Sequence, residues 1–377
     1  MRRSEQAALK FFGWATLAVS VLAAFMLPFG ESDGRVKAQA NNPPNRVIFL
    51  HYDYMVSTDP AFPHSHKPHK ESLDLVVEAF RRHGITLVID PEHTEIPEHR
   101  VVAWPQTGAC RYEDEVAFGD LKSQYFHPKN NLPWHYMIFA HDAVNEAESC
   151  FRVSGIAQLP GYDFVVAHGF LFFAILGGHP FRVCPDDNFT ELCQRIEGGT
   201  FMHELGHNLS LDHGGDNLDN YKPNYLSVMN YLFQKTGIPY GNSPDDPEPG
   251  HYRLDYSDRL YPSLDEFHLD ERLGIGGSDD SVDFTLHPVS RVEPDGSFTF
   301  IYSPVHVHGP VDWNFNGAIE PDVQFDANFS RTDLDFHYSV LSGFDDWAQV
   351  HSFLNTPEYR NGFVRQNPRV IGCGTLH

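Results

Sequence analysis

Thr200-Phe201-Met202-His203-Glu204-Leu205-Gly206-His207-Asn208-Leu209-Ser210-Leu211-Asp212-His213 is the stretch on which the reading of this chain turns. On a helix, residues four apart lie one turn above each other on the same face, so the imidazoles of His203 and His207 reach one metal ion. Glu204 follows the first of them, and from there its carboxylate reaches a water on the metal without ligating it, as a general base must. A third imidazole, His213, joins the pair if the helix ends near Ser210 and the chain turns back. Three imidazoles and a water make a tetrahedral zinc site with one open position, which thiolate-rich structural sites lack. Iron or copper would also suit three histidines but leaves Glu204 without a task.

With 23 histidines in the chain, the His203-Glu204-x-x-His207 pattern alone is only suggestive. The third histidine at this offset gives it weight. The alternative is a helix whose histidines hydrogen-bond within a core. The chemistry expected of the zinc set is hydrolysis of a peptide bond, with Glu204 taking the proton from a zinc-polarised water as it attacks the carbonyl.

Ser227-Val228-Met229-Asn230-Tyr231 follows a short distance downstream. Together with His203-Glu204-x-x-His207-x-x-Ser210-x-x-His213 it resembles the long zinc motif and Met-turn of the metzincin metalloproteases. That resemblance, specific over about Thr200–Tyr231, implies a secreted zinc endopeptidase with His203, His207 and His213 as ligands and Glu204 as base. It places Met229 beneath the metal as an apolar floor and Tyr231 where some branches ligate zinc or stabilise the oxyanion. The fold it implies is α+β, with an N-terminal mixed sheet, the active-site helix and a smaller irregular C-terminal part. An edge strand just before the active-site helix would pair with substrate, and Phe164–Ala167 is the candidate. The apolar Phe170–Cys193 segment would form a wall of the cleft or simply pack in the core. One position departs from the pattern: Ser210 stands where the clan usually has glycine, at a turn whose dihedrals glycine adopts freely. If that turn fails, Asp212 is the substitute third ligand.

The residues outside the motif agree with this organisation. Val47-Ile48-Phe49-Leu50 reads as a buried strand. Leu73, Val76, Val77 and Phe80 fall at helical spacing before Gly84, predicting a helix over Lys70–His83, and Ile85–Ile89 completes a parallel β-α-β unit. Strands are expected at Tyr136–Ala140 and Phe164–Ala167, and a hairpin from Phe284–Leu286 and Phe298–Tyr302 about Pro294-Asp295-Gly296. Beyond Asp216 the chain is rich in Asp, Pro, Gly and Tyr and reads as loops. The expected division is 1–40, 41–213 with the zinc helix, and 214–377 with the Met-turn.

Arg2, Arg3 and Lys10 precede an apolar run from Phe11 to Phe29 and then Ala38-Gln39-Ala40, the layout of a secretory signal peptide, with an uncleaved N-terminal anchor as the alternative. A net charge of −24 would repel nucleic-acid phosphates and anionic headgroups, so the expected partner is a protein or peptide substrate, with membrane contact only through that segment and the chain a monomer. Five cysteines suit disulfides in an exported protein: Cys184 and Cys193 are near enough for a short loop and Cys110 with Cys150 is the natural second pair, leaving Cys373 to stay free or to pair with another chain, although spacing does not fix the connectivity and five buried thiols are the alternative.

A calcium ion is the second expected cofactor. Asp312, Asn314, Asn316 and Glu320 occupy positions one, three, five and nine of a loop with Gly317 at six, although Val323 stands at the twelfth position; a plain Asn/Gly turn is the alternative. His64, His66 and His69 form a histidine tract with no organising spacing and read as surface residues. Two other functions remain open: a catalytically silent binding or adhesion protein on the same fold, and a zinc hydrolase of non-peptide amides.

Overall fold

The strand that Val47–Leu50 announces runs much further, as β1 (Arg46–Ser57), because apolar side chains continue through Tyr52, Tyr54 and Met55, all buried. The computed structural model describes residues 46–375 apart from 62, 170–172, 177–178, 183, 185–188, 293–297, 330–336, 361 and 363–367. The predicted signal segment, residues 1–40, lies outside the described residues, and no helix among them is long and apolar enough to cross a membrane.

After the two-residue β2 (His64–Ser65) comes α1 (Lys70–Arg82), which buries Leu73, Val76, Ala79 and Phe80 and stops at Gly84, whose φ of +71° suits a residue without a Cβ. β3 (Ile85–Ile89) then pairs parallel to β1, completing the predicted unit. There follow β4 (Glu95–Pro97), β5 (Val101–Ala103), β6 (Glu115–Ala117), α2 (Phe118–Tyr125), β7 (Trp134–Ala140), β8 (Asp142–Val144), β9 (Arg152–Leu159) and β10 (Asp163–Ala167). Most of them join one curled, eleven-stranded mixed sheet of order β2-β1-β7-β10-β9-β8-β5-β6, with β3 and β4 also on β1. The fold is α+β with few helices.

β10 is flanked by β7 on one side and β9 on the other. The expectation that Phe164–Ala167 forms an exposed edge is therefore wrong: all five residues of β10 are buried, as suits a continuous apolar run in a central strand. β9 runs antiparallel to β10, and its second edge is covered by the last strand of the chain, β19 (Arg369–Thr375).

Between β10 and the zinc-motif helix a small hairpin, β11 (Phe173–Leu176) with β12 (His179–Arg182), forms its own sheet, and the rest of the Phe170–Cys193 segment is partly outside the described residues. α3 (Glu191–Asn208) begins at Thr190, whose hydroxyl accepts the N–H of Cys193, and packs on α1, β9 and β10. Phe201, Met202, Leu205 and Leu209 join the core with Ile48, Leu50, Phe80 and Phe164. Cys110–Cys150 and Cys184–Cys193 are disulfide-bonded as expected.

The second half holds α4 (Tyr231–Gln234), short paired strands β13 (Ile238–Tyr240), β14 (His251–Arg253), β15 (Leu264–Asp265) and β18 (Val340–Leu341), and the predicted hairpin of β16 (Phe284–Val292) and β17 (Phe298–His306). Its turn lies outside the described residues. A separate cluster around Trp313, Phe233, Ile275 and Leu341 forms the core there. α5 (Asp346–Phe353) and α6 (Pro357–Arg360) precede β19.

Candidate metal centre

From Glu197 to Asn208, α3 is buried on every side, yet it carries Thr200, His203, Glu204, His207 and Asn208. A fully buried helix is ordinarily apolar, and polar groups placed there need partners. For the two histidines half of that need is met by main chain. The His203 Nδ1–H donates to the Val228 carbonyl at 2.7 Å and the His207 Nδ1–H to the Leu211 carbonyl at 2.8 Å. Because a carbonyl only accepts, the proton of each ring is assigned to Nδ1 and each Nε2 presents a lone pair. These two lone pairs face each other at 3.2 Å. That arrangement is repulsive unless a cation sits beside both.

The turn that brings in the third imidazole is built on Ser210. Its φ is +75°, its N–H donates to the His207 carbonyl, and the Leu211 N–H reaches the Gly206 carbonyl, so the helix closes with a left-handed cap in which serine takes the usual glycine position. The chain then doubles back through an Asp212–Gly215 bridge. The buried Lys222 ammonium clamps this loop by donating to the carbonyls of Gly214 and Ser342, each at 2.8 Å. The His213 ring centroid ends 5.3 Å from that of His203 and 5.0 Å from that of His207. Asp212 takes no part in the cluster: its carboxylate accepts the His213 N–H and lies 3.5 Å from Arg369.

A fourth donor arrives from the other end of the chain. The Cys373 thiol on β19 is 3.1 Å from His207 Nε2 and 3.5 Å from His213 Nε2, and the ligand atoms of His203, His207, His213 and Cys373 all lie within 4.8 Å of one another. The group is buried throughout and could hold a metal ion. Burial holds the His203 imidazole down to about 4 and puts His207 and His213 well below the ordinary histidine range, which keeps all three rings neutral, the form a metal requires of an imidazole. Burial raises the Cys373 thiol, and the neighbouring Glu204 raises it further.

Glu204 is completely buried, and its two oxygens make no hydrogen bond of standard geometry; the polar group set beside them is the Cys373 thiol. Burial pushes this carboxyl well above the ordinary range. Gly155 on β9 makes room for it, since a Cβ there would overlap the carboxylate. Cys373 is paired with this same Gly155 across the β9–β19 ladder.

Below the helix, Met229 is fully buried with its sulfur against Gly206, where a side chain would collide with it. The Ser227–Tyr231 turn is held by Asp346, which accepts from the hydroxyls of Tyr225 at 2.7 Å and Ser227 at 2.5 Å and from the Ser257 N–H. Tyr231 stands beside the cluster, its ring centroid 4.7 Å from His213 and 5.5 Å from His203.

Sequence reasoning missed Cys373, Gly155, Lys222 and Asp346. The odd cysteine count was the one available signal for Cys373. Its expected role as an unpaired C-terminal thiol open to another chain is corrected here, because the thiol is buried against the histidines. The tract reading is corrected as well: the His64 and His66 side chains are each only 5% exposed. His69 lies apart from both, next to Glu197 and stacked on Phe189.

The Asp312 loop closes on itself. Asp312 accepts the N–H groups of Asn316 and Gly317, Asn314 that of Asn316, and Asn316 that of Ala318, while Glu320 accepts from the Asn314 and Asn316 amides. Val323 at its end is bridged to Leu269.

No family model matches the chain, and no curated protein matches it.

Proposed function

We propose that this chain is a secreted zinc-dependent endopeptidase of metzincin type, seen here in a closed form in which Cys373 occupies the position a water needs. The observation that carries the reading is the convergence of His203, His207 and His213 on one point with the Glu204 carboxylate buried beside it.

The spacing of the donors suits zinc. A tetrahedron with zinc–nitrogen bonds of about 2.0–2.1 Å and a zinc–sulfur bond of about 2.3 Å has nitrogen–nitrogen edges of about 3.3 Å and nitrogen–sulfur edges of about 3.6 Å. The 3.2 Å and 3.5 Å separations of His203 from His207 and of His213 from Cys373 are close to those edges, while the 3.1 Å between His207 and Cys373 is about 0.5 Å shorter than its edge. Zinc bound there would polarise a substrate carbonyl and acidify a water. His203, His207 and His213 would hold the ion, Met229 would support the ligand helix from below, Glu204 would take the proton, and Tyr231, whose ring lies beside His213, would be the donor to the developing oxyanion.

The peptide would lie along β9. β19 already shows that an extended chain fits that edge antiparallel, with Cys373 opposite Gly155 and next to the general base. Cleavage therefore requires β19 to leave; the Cys373 thiol is its tie to the histidines, so Cys373→Ser frees the fourth position and loosens the strand on that edge. The two disulfides suit an exported protein.

A second reading has a specific observation behind it. Four protein donors close a zinc site, and closed sites are structural; on that reading the chain is a silent binding protein. Metal content and casein cleavage of wild type, Cys373→Ser and Cys373→Ser with Glu204→Gln separate the two. Our reading expects zinc in all three, cleavage by Cys373→Ser well above wild type, and none once Glu204 is replaced. Zinc with no cleavage by Cys373→Ser would favour the structural site, and unchanged cleavage after Glu204→Gln would sink the mechanism. Calcium at Asp312, Asn314, Asn316 and Glu320 is a separate proposal, tested by whether added calcium raises the melting temperature of wild type and not of Asp312→Ala.

A further inference from the structure

We propose that His64, His66, Glu98 and His141 form a second metal site, a closed structural one for a divalent transition-metal ion such as zinc. It is independent of the peptidase reading and uses none of its residues.

The four come from three separate stretches. His64 begins β2 and His66 follows it, Glu98 comes directly after β4, and His141 directly after β7. β2 and β4 both pair with the last residues of β1, so β1 collects the first two stretches, and β7, its other neighbour, delivers the third. One carboxylate oxygen, Glu98 Oε2, lies 2.7 Å from His64 Nε2, 3.1 Å from His66 Nε2 and 4.0 Å from His141 Nδ1. The His141 Nδ1 is 3.3 Å from His66 Nε2. One ligand atom from each residue lies within 4.8 Å of all the others.

The chemistry of the donors favours a cation over ion pairing. Three rings turn a nitrogen toward Glu98 Oε2, and the four donors converge where the His64 and His66 side chains are 5% exposed and those of Glu98 and His141 about a fifth. Three charged rings at these separations would repel one another. Neutral rings have lone pairs to direct, and one divalent ion accepts from three imidazoles and a carboxylate in the set that borderline metals prefer. The His141 ring is also held in place: the segment after β10 passes so close that a Cβ on Gly169 would overlap it. Four protein donors leave no open position, so the site staples rather than catalyses. What it staples is a strand of two residues, too short to hold itself to the sheet by its ladder alone.

The test is the zinc stoichiometry of the full chain, with cobalt(II) as a spectroscopic probe. Wild-type apoprotein titrated with zinc should take up two equivalents. His141→Ala and Glu98→Gln should each lose one equivalent while keeping the thiolate-to-cobalt absorption that marks the centre holding Cys373. One equivalent in wild type together with that absorption overturns the proposal, as do two equivalents in both variants. One equivalent without thiolate absorption, lost in His141→Ala, supports this site and removes the other. The wild-type titration reads the proposal even where a variant fails to fold.

Discussion

The Cys373 sulfur lies 3.1 Å from His207 Nε2, although 166 residues separate the two in sequence. The thiol is delivered by a strand whose Arg369 end sits beside Asp212 in the loop carrying His213, so β19 is attached to the metal loop at one end and aimed at the ligands at the other. A buried thiol held as a metal ligand reacts slowly with alkylating reagents. In enough denaturant to open β19, iodoacetamide should label Cys373 more slowly in the metal-loaded protein than after chelation, as read by mass spectrometry of the C-terminal peptide. Equal labelling in both would show that the sulfur does not bind metal.

Gly155 is where β9 yields to the Glu204 carboxylate, the general base of the proposed mechanism. Adding one methyl group there pushes the Glu204 carboxylate aside without touching any ligand. In a Cys373→Ser background, Gly155→Ala should keep its zinc and lose cleavage by about a hundredfold or more, the usual effect of displacing a catalytic group by about 1 Å. Full activity in Gly155→Ala would place the base elsewhere.

Ser210 holds a left-handed conformation that costs an L-residue roughly 1–2 kcal/mol. Ser210→Gly relieves this, less about 0.5 kcal/mol for the greater freedom of glycine in the unfolded chain. The melting temperature should rise slightly with metal content unchanged. Ser210→Val, with a branched Cβ in that region, should melt lower and weaken zinc binding, because His213 depends on the turn.

Asp346, at the start of α5, holds the turn around Met229, and complete burial pushes its carboxyl up to about 7 from an ordinary 3.8. The folded chain therefore binds a proton that the unfolded chain has released between those two values. That contribution to stability is fully present below 3.8 and is lost as pH rises through about 7. Denaturant unfolding at a series of pH values should show wild type losing stability over this range relative to Asp346→Asn, which cannot ionise. Parallel curves for the two proteins would refute the assignment.

Local chemistry was readable without coordinates because it depends on neighbours in the chain. The spacing of His203, Glu204 and His207 on one helical turn, the serine at the cap, and the parallel unit of β1, α1 and β3 follow from short-range geometry, whereas spacing only suggested the disulfide partners and the structure fixed them. The strand order did not. An apolar run such as Phe164–Ala167 looks the same in an edge strand and in a central one, so only the pairing of β10 on both sides shows that it is central, and only the contact of Gly155 with Glu204 shows that β9 is the strand beside that carboxylate.

By itself, the sequence determined which residue types stand ready for a metal and in what local order, since helical periodicity and turn chemistry act over a few residues. Tertiary structure alone decided that Cys373 closes the set, that Gly155 leaves space for Glu204, and that His64, His66, Glu98 and His141 meet. Those meetings depend on how the sheet curls and on where the last strand docks. Both are outcomes of burying the whole apolar surface at once, and no single segment carries them.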